Sequence, residues 1–281
     1  MSEKDKFSSL RSQIDEIDNQ IHDLLMKRAD VVQSIVKEKG QSSTSLDAGR
    51  EAEVLRCLVK RHDGILPKSA IVRLWREIFA STLQLESRFS VSVCVPEGDN
   101  TYYDLSREHF GMETPISSRQ TVMSVLREVT DGAATAGVLP LPQAGEGNPW
   151  WLSLAQGEGA TNARIIARLP FYQMSNTDGP EAVIVGLGAQ EKTGHDRSYI
   201  VVESAEPLSR STLTNLLEKS DLKPVNIQIH TPDPSVCLQL IEVDDYVAPG
   251  DERLAKLAEL SDQRITHAWT IGGYAVPLTD A

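Results

Sequence analysis

Residues 10–40 read LRSQIDEIDNQIHDLLMKRADVVQSIVKEKG, a stretch with no proline and with glycine only at its last position. Neither of the residues that interrupt helices stands inside it, so the spacing predicts one long helix. Apolar side chains recur at Leu10, Ile14, Ile17, Ile21, Leu24, Val31 and Ile35, in steps of four and three, and the place between Leu24 and Val31 falls on Arg28. A seam of that period is the face one helix lays along another. An arginine within it must reach water or meet an anion, because an unpaired buried charge costs several kcal/mol.

Two further cations bear on Arg28. Lys39 lies about 20° round the helix from it and about 16 Å along the axis, so both could close on one small anion. Arg11 sits about 25 Å from Arg28 and about 100° away, so it could serve the same pocket only from a second, antiparallel copy of the helix. Such an arrangement implies a homodimer with two shared sites. The alternative is that all three are solvated cations on an amphipathic helix, the ordinary place for Lys and Arg.

Outward from this helix, the polar run QSSTSLDAG leads into REAEVLRCLVKRHDG, where Val54, Leu55, Leu58 and Val59 form a short apolar stripe. Gly64 and Pro67 end that second helix, and a third opens at Lys68 or Ser69 with Ile71, Leu74, Trp75, Ile78 and Phe79 on one face. Continuing the same face reaches Thr82, Leu85 and Glu86. Its two polar residues either fray into water or line the pocket of Arg28 and Lys39.

From Phe89 the pattern changes to alternation. RFSVSVCVPEGDNTYYDLSREHFG reads as strand, loop and helix, residues 122–129 as a helix, and 136–139, 163–169 and 182–185 as strands. Residues 197–277 then run strand, helix, strand, strand, helix, strand, which is the ferredoxin-like order. Gly186, Gly188 and Gly194 are followed by no helix and make no dinucleotide fingerprint.

The chain has 281 residues, 40% hydrophobic and 24% charged, which suits a soluble protein of two or three domains. Its net charge is −12, and the acid excess lies almost wholly beyond residue 90. Nucleic acid and anionic membranes need basic surfaces, so both are excluded as partners. Cys57, Cys94 and Cys237 are scattered and without a CxxC, so neither a disulfide framework nor a zinc site is expected. No segment has the apolar length of a membrane span, and MSEKDKF lacks the apolar core of a signal peptide, so the expected location is the cytoplasm.

The order LRxxIDxIDxxIxxLLxxR, then KEKG, GREAEVLRCL and LWREIFASTLQLE, resembles the all-helical AroQ-type chorismate mutases found at the front of proteobacterial bifunctional chorismate mutase–prephenate dehydratases. The resemblance covers residues 7–88. It implies an intertwined all-α homodimer that binds chorismate with Arg11 of the partner copy, Arg28, Lys39, Asp47, Arg50, Glu51, Thr82 and Glu86, the match being loosest in the loop before Arg50. The implied reaction is a pericyclic rearrangement to prephenate, which needs a shaped pocket but no nucleophile, metal or cofactor. Two arginines suit two carboxylates, Lys39 and residue 86 would meet the ether oxygen, Glu51 and Asp47 the hydroxyl, and Arg50 would orient Glu51.

Further on, VPEGDNTYYDLSREHFG resembles the GPEGTYS…HFG opening of prephenate dehydratase, and TAGVLPLPQAGEG its GVVPIENSxEG. The departures are larger than the matches. Ala144 and Gly145 stand at the family's Asn-Ser pair, Glu181-Ala182-Val183 replace its Thr-Arg-Phe, and no second lobe fits between ARIIARLPF and GPEAVIVG. Residues 89–190 therefore read as a degenerate, one-lobed α/β remnant with no dehydratase activity. Residues 191–281 resemble the ACT domain of the same enzymes, with IGGYAVPL for their closing LGSYP. The phenylalanine-binding GAL and ESRP motifs are replaced by PLSRSTL and IQIHTP, which favours a ligand-free pairing module over a sensor. The expected protein is a chorismate mutase of the phenylalanine and tyrosine pathway with domains 1–88, 89–190 and 191–281. The alternative is a non-catalytic, ligand-binding regulator that uses the helices as a dimerisation arm.

Overall fold

The computed structural model describes residues 3–39, 46–86, 88–155, 163–173, 179–233 and 236–280. Three helices come first: α1 (Glu3–Lys39), α2 (Ala48–Arg61) and α3 (Lys68–Glu86). Asp47 starts α2 by accepting from Arg50 N at 2.8 Å, which satisfies one of the amides a helix leaves without a partner in its first turn. Along α1 only a short stretch is covered, where Arg28, Ala29, Val32 and Val36 are half-buried. The N-terminal part of its seam faces outward, with Leu10, Ile14, Ile17, Ile21 and Leu24 each 49–66% exposed.

The chain continues through β1 (Val91–Cys94), α4 (Thr101–Phe110), β2 (Ile116–Arg119), α5 (Val122–Thr130), β3 (Ala136–Pro140), α6 (Leu152–Ala155), β4 (Arg164–Leu169), β5 (Tyr172–Gln173) and β6 (Ala182–Gly186). It ends with β7 (Asp196–Ser204), α7 (Arg210–Lys219), β8 (Pro224–Asp233), β9 (Val236–Val243), α8 (Glu252–Leu260), β10 (Ile265–Ala275) and β11 (Leu278–Thr279). The pattern of residues 197–277 is observed as β7-α7-β8-β9-α8-β10. Strand β2 was not legible, because ISSR carries one apolar residue and lies at a sheet edge.

Nine strands share one sheet in the order β2-β1-β3-β6-β4-β10-β7-β9-β8, and β5 pairs separately with β11. Strand β1 runs parallel to β2 and β3, while β6 runs antiparallel to β3 and β4. The last four strands are antiparallel throughout. Residue 190 falls in the connection between β6 and β7, and the units on either side are joined where β10 meets β4 in parallel at Gly272 and Ile165. Gly272 has φ +106°, and a Cβ there would stand 2.1 Å from the Ile165 carbonyl oxygen, so the join admits only glycine.

The helices are not a separate body. Ala52, Leu55, Val72 and Phe79 of α2 and α3 share a core with Phe171 and with Ala275 of β10. Arg56 of α2 adds hydrogen bonds to Thr193 Oγ1 at 2.7 Å and to the carbonyls of His195 and Val276 at 2.7 and 2.9 Å. Cys94 and Cys237 are buried, Cys57 is exposed, and all three are free thiols.

Candidate active site

The apolar face of α3 turns polar at Thr82, one turn after Ile78, and α1 crosses it there. Arg28 Nη1 donates to Thr82 Oγ1 at 2.8 Å, while that hydroxyl donates to the Ile78 carbonyl at 2.7 Å. The guanidinium lies over the Phe79 ring at 5.7 Å. Thr82 therefore faces the seam arginine rather than open water.

Glu51, in the first turn of α2, points toward α3. Its Oε2 accepts from Arg76 Nη1 at 2.6 Å, with side-chain exposures of 12% and 7%. Burial pushes the Glu51 carboxyl above its ordinary range; the Arg76 charge opposes this, Asp47 adds to it, and Arg76 hydrogen bonding and the Arg28 charge pull it down. Arg28, Asp47, Glu51 and Thr82 thus belong to one neighbourhood.

Arg50 requires a correction. It does not orient Glu51: its side chain is 67% exposed and pairs with Glu53 at 3.1 Å. Consecutive helical residues point about 100° apart, so Arg50 and Glu51 cannot share a face. The partner of Glu51 is Arg76, which the sequence reading missed. Its signal was present, since Arg76 stands between Val72 and Phe79 on a buried stripe, the same anomaly that singled out Arg28.

Arg11 is exposed on α1, seventeen positions before Arg28, and does not approach this neighbourhood within one chain. Lys39 and Glu86 end α1 and α3, and their side chains lie outside the described residues.

Behind Arg76 the α/β part begins. The His109 ring, at the end of α4, is buried with Nε2 3.5 Å from Arg76 Nη1, and the Phe171 ring lies 5.5 Å from the guanidinium. Burial, then the Arg76 charge, hold the His109 imidazole well below its ordinary pKa, so it is neutral. Arg76 and His109 also border an open cavity of about 700 Å³ between α3, α4 and the segments on either side of β5, with Arg73, Asp104 and Glu181 around it.

Glu181, at the position of the expected Thr-Arg-Phe, accepts from Arg168 Nη2 at 2.8 Å and from Gln173 at 2.6 Å. Arg168 also donates to Tyr274 Oη at 2.6 Å, and Tyr274 donates to Glu242. These groups tie β4, β9 and β10 to β5 and to the residue just before β6. Among the described residues no cluster of three or more His, Cys, Asp or Glu is placed to hold a metal, and no helix is long and apolar enough to cross a membrane.

Comparison with known proteins finds a match over the three N-terminal helices. The chorismate mutase type II family model matches residues 10–87. The bifunctional chorismate mutase/prephenate dehydratase of Stutzerimonas stutzeri is 34% identical over 154 residues, covering 52% of this chain and 42% of that protein. Its counterpart in Pseudomonas aeruginosa is 32% identical over 153 residues with the same coverage. The chain therefore spans less than half the length of these relatives. Among solved structures, the prephenate dehydratase of Streptococcus mutans superposes with a TM-score of 0.49 at 12% identity, covering 68% of this chain and 99% of that one. Residues 10–87 are thus similar to the chorismate mutase type II family, and about half of the chain is similar in sequence to bifunctional chorismate mutase/prephenate dehydratases.

Proposed function

We propose that the chain converts chorismate to prephenate in a pocket bounded by α1, the start of α2 and the end of α3. The observation that carries this is the meeting of Arg28 and Thr82 beside a buried, ion-paired Glu51. Arg28 offers a forked donor to one substrate carboxylate. Arg11 of a second copy supplies the other, and Lys39 stands at the ether oxygen, where a fixed donor contributes on the order of 2.7–4 kcal/mol to the transition state. Glu51, with Asp47, accepts from the substrate hydroxyl. Glu86 supplies the second group at the ether oxygen. No cofactor takes part.

A homodimer follows from the same reading. The exposed seam from Leu10 to Leu24 is the surface a second α1 would cover, and an intertwined pair would bring Arg11 to the partner's Arg28. The division into a mutase domain (1–88), a dehydratase-like region (89–190) and an ACT-like domain (191–281) belongs to this proposal, as does a cytoplasmic location. The βαββαβ order, with its strands side by side as β10-β7-β9-β8 and β7 and β9 in the middle, supports the ACT-like assignment.

The dehydratase-like region is read as inactive. Glu181 is engaged by Arg168 and Gln173, Ala144 and Gly145 offer no polar side chain, and β4 and β6 are joined by 12 residues rather than by a second lobe. The test is one assay on the whole chain, following loss of chorismate and appearance of prephenate and phenylpyruvate. Prephenate accumulating without phenylpyruvate supports the proposal. Phenylpyruvate above the uncatalysed rate overturns the inactive reading, and unchanged chorismate favours the non-catalytic regulator.

A further inference from the structure

We propose that Arg76 is the positioning residue for the Glu51 carboxylate, and that the α/β part, by holding Arg76 through His109 and Phe171, completes the mutase pocket. The proposal rests on the mutase reading of residues 10–87.

The geometry forms a chain of contacts. Glu51 faces the pocket from α2; Arg76 on α3 holds its Oε2 at 2.6 Å; His109 Nε2 stands 3.5 Å behind the same Nη1; and the Phe171 ring lies 5.5 Å from the guanidinium. The first two residues belong to the helical third, the last two to the α/β part, and all four are buried or nearly so. A buried carboxylate without a cation takes up a proton, and a protonated carboxyl offers a donor where the substrate hydroxyl needs an acceptor.

The charges around Glu51 show why Arg76 matters more than its neighbours. Arg28 on α1 must serve the substrate, Asp47 at the start of α2 repels, His109 on α4 is neutral, and Arg168 on β4 is engaged by Glu181 and Tyr274. Arg76 is the counter-charge in direct contact. Neutral His109 keeps Nε2 as an acceptor toward Arg76 in its Nδ1–H form and adds no second positive charge beside it. The α/β part is then more than a passive attachment, because two of its side chains fix the arginine whose charge favours the ionised form of Glu51.

The test uses the full chain and its Arg76→Gln, Arg76→Lys, His109→Leu, His109→Gln, Glu51→Gln and Glu51→Gln/Arg76→Gln variants, each shown to be folded by circular dichroism. Profiles of kcat/KM between about pH 5 and 9 give the acid limb of the free enzyme. Arg76→Gln should move that limb to higher pH by about one unit or more and lower kcat/KM at neutral pH about tenfold, with Arg76→Lys recovering part of the loss. His109→Leu should move the limb the same way, and His109→Gln, which retains an acceptor, should not. If the residues act as a unit, adding Arg76→Gln to Glu51→Gln should cost less than about twofold.

An unmoved limb in Arg76→Gln, or losses that simply multiply in the double variant, would overturn the proposal and leave Arg76 as interface packing. An inactive wild-type chain would overturn the mutase reading instead. In that event, titration of ¹³C-labelled glutamate carboxyls still decides about Arg76, since the Glu51 midpoint must rise in Arg76→Gln; an unchanged midpoint sinks the proposal without reference to activity.

Discussion

Arg28 and Thr82 show how a single polar contact can redirect the reading of a helix face. Arg28 interrupts an apolar seam, and its partner Thr82 interrupts another, 54 positions later, so each anomaly explains the other. On the proposed mutase reading, replacing Arg28 by alanine removes a charge-assisted contact to the substrate carboxylate. We expect a loss in kcat/KM of about a hundredfold or more, while Thr82→Val, which removes only a neutral hydroxyl, should cost about tenfold or less. Steady-state kinetics on both variants check this, and equal losses would mean that the hydroxyl itself contacts substrate. Glu86 invites a separate test, because a carboxylate can only accept whereas the ether oxygen needs a donor. It can help only when protonated, so activity should fall at alkaline pH, and Glu86→Gln, a donor at every pH, should flatten the alkaline limb of kcat. Superimposable profiles would transfer the role to another group.

Capping decides where several elements begin. Asp47, Thr121 and Asp251 each accept from an amide in the first turn of the helix that follows, and all three are residue types suited to that place. Asp251 also binds the Arg253 side chain, at 2.9 and 2.8 Å. Hydrogen bonds from Arg253 hold its carboxyl below the usual aspartate range, so the folded state binds a proton more weakly than the unfolded chain does. The resulting stability is present above the unfolded pKa and is lost as pH falls through the native one. Asp251→Asn keeps a capping oxygen but loses the charge, and should flatten the acid side of a Tm against pH curve. Asp251→Ala should lose about 1 kcal/mol more, the usual contribution of a cap. Denaturant melts of both variants at neutral and acidic pH would decide it, and an unchanged acid side in Asp251→Asn would remove Arg253 from the account. The elements themselves were largely legible: all three long helices and the βαββαβ run follow from periodicity, while edge strand β2 and the two-residue strands β5 and β11 carry too few side chains to show a period.

At the scale of the whole molecule, α1 reaches beyond the body of the chain with an apolar seam turned to solvent. A second copy covering that seam would both bury it and bring Arg11 to the other chain's Arg28. Ile21→Asp on the seam should therefore give monomers by light scattering and abolish mutase activity, because charge on a helix–helix seam is costly and each site lacks its second arginine. Mixing Arg11→Ala with Arg28→Ala chains should restore one competent site per heterodimer, about a quarter of wild-type activity if half the dimers are mixed and each has one intact site. No recovery after subunit exchange would rule out shared sites.

Periodicity along the chain made the three helices and the pairing of Arg28 with Thr82 legible, because helix periodicity is local and an arginine or threonine on an apolar stripe stands out against it. The same periodicity gave most of the elements beyond residue 89, apart from the short β2, α6, β5 and β11. Contacts between distant segments were decided only by the tertiary structure. The sequence reading gave Arg50 as the partner of Glu51, and the facing of α2 on α3 gives the place to Arg76. Likewise IGGYA reads as the end of one domain until β10 meets β4 at Gly272, and one sheet then runs through both units. Register and inter-element facing depend on how buried surfaces fit in three dimensions, and no periodicity along the chain encodes them.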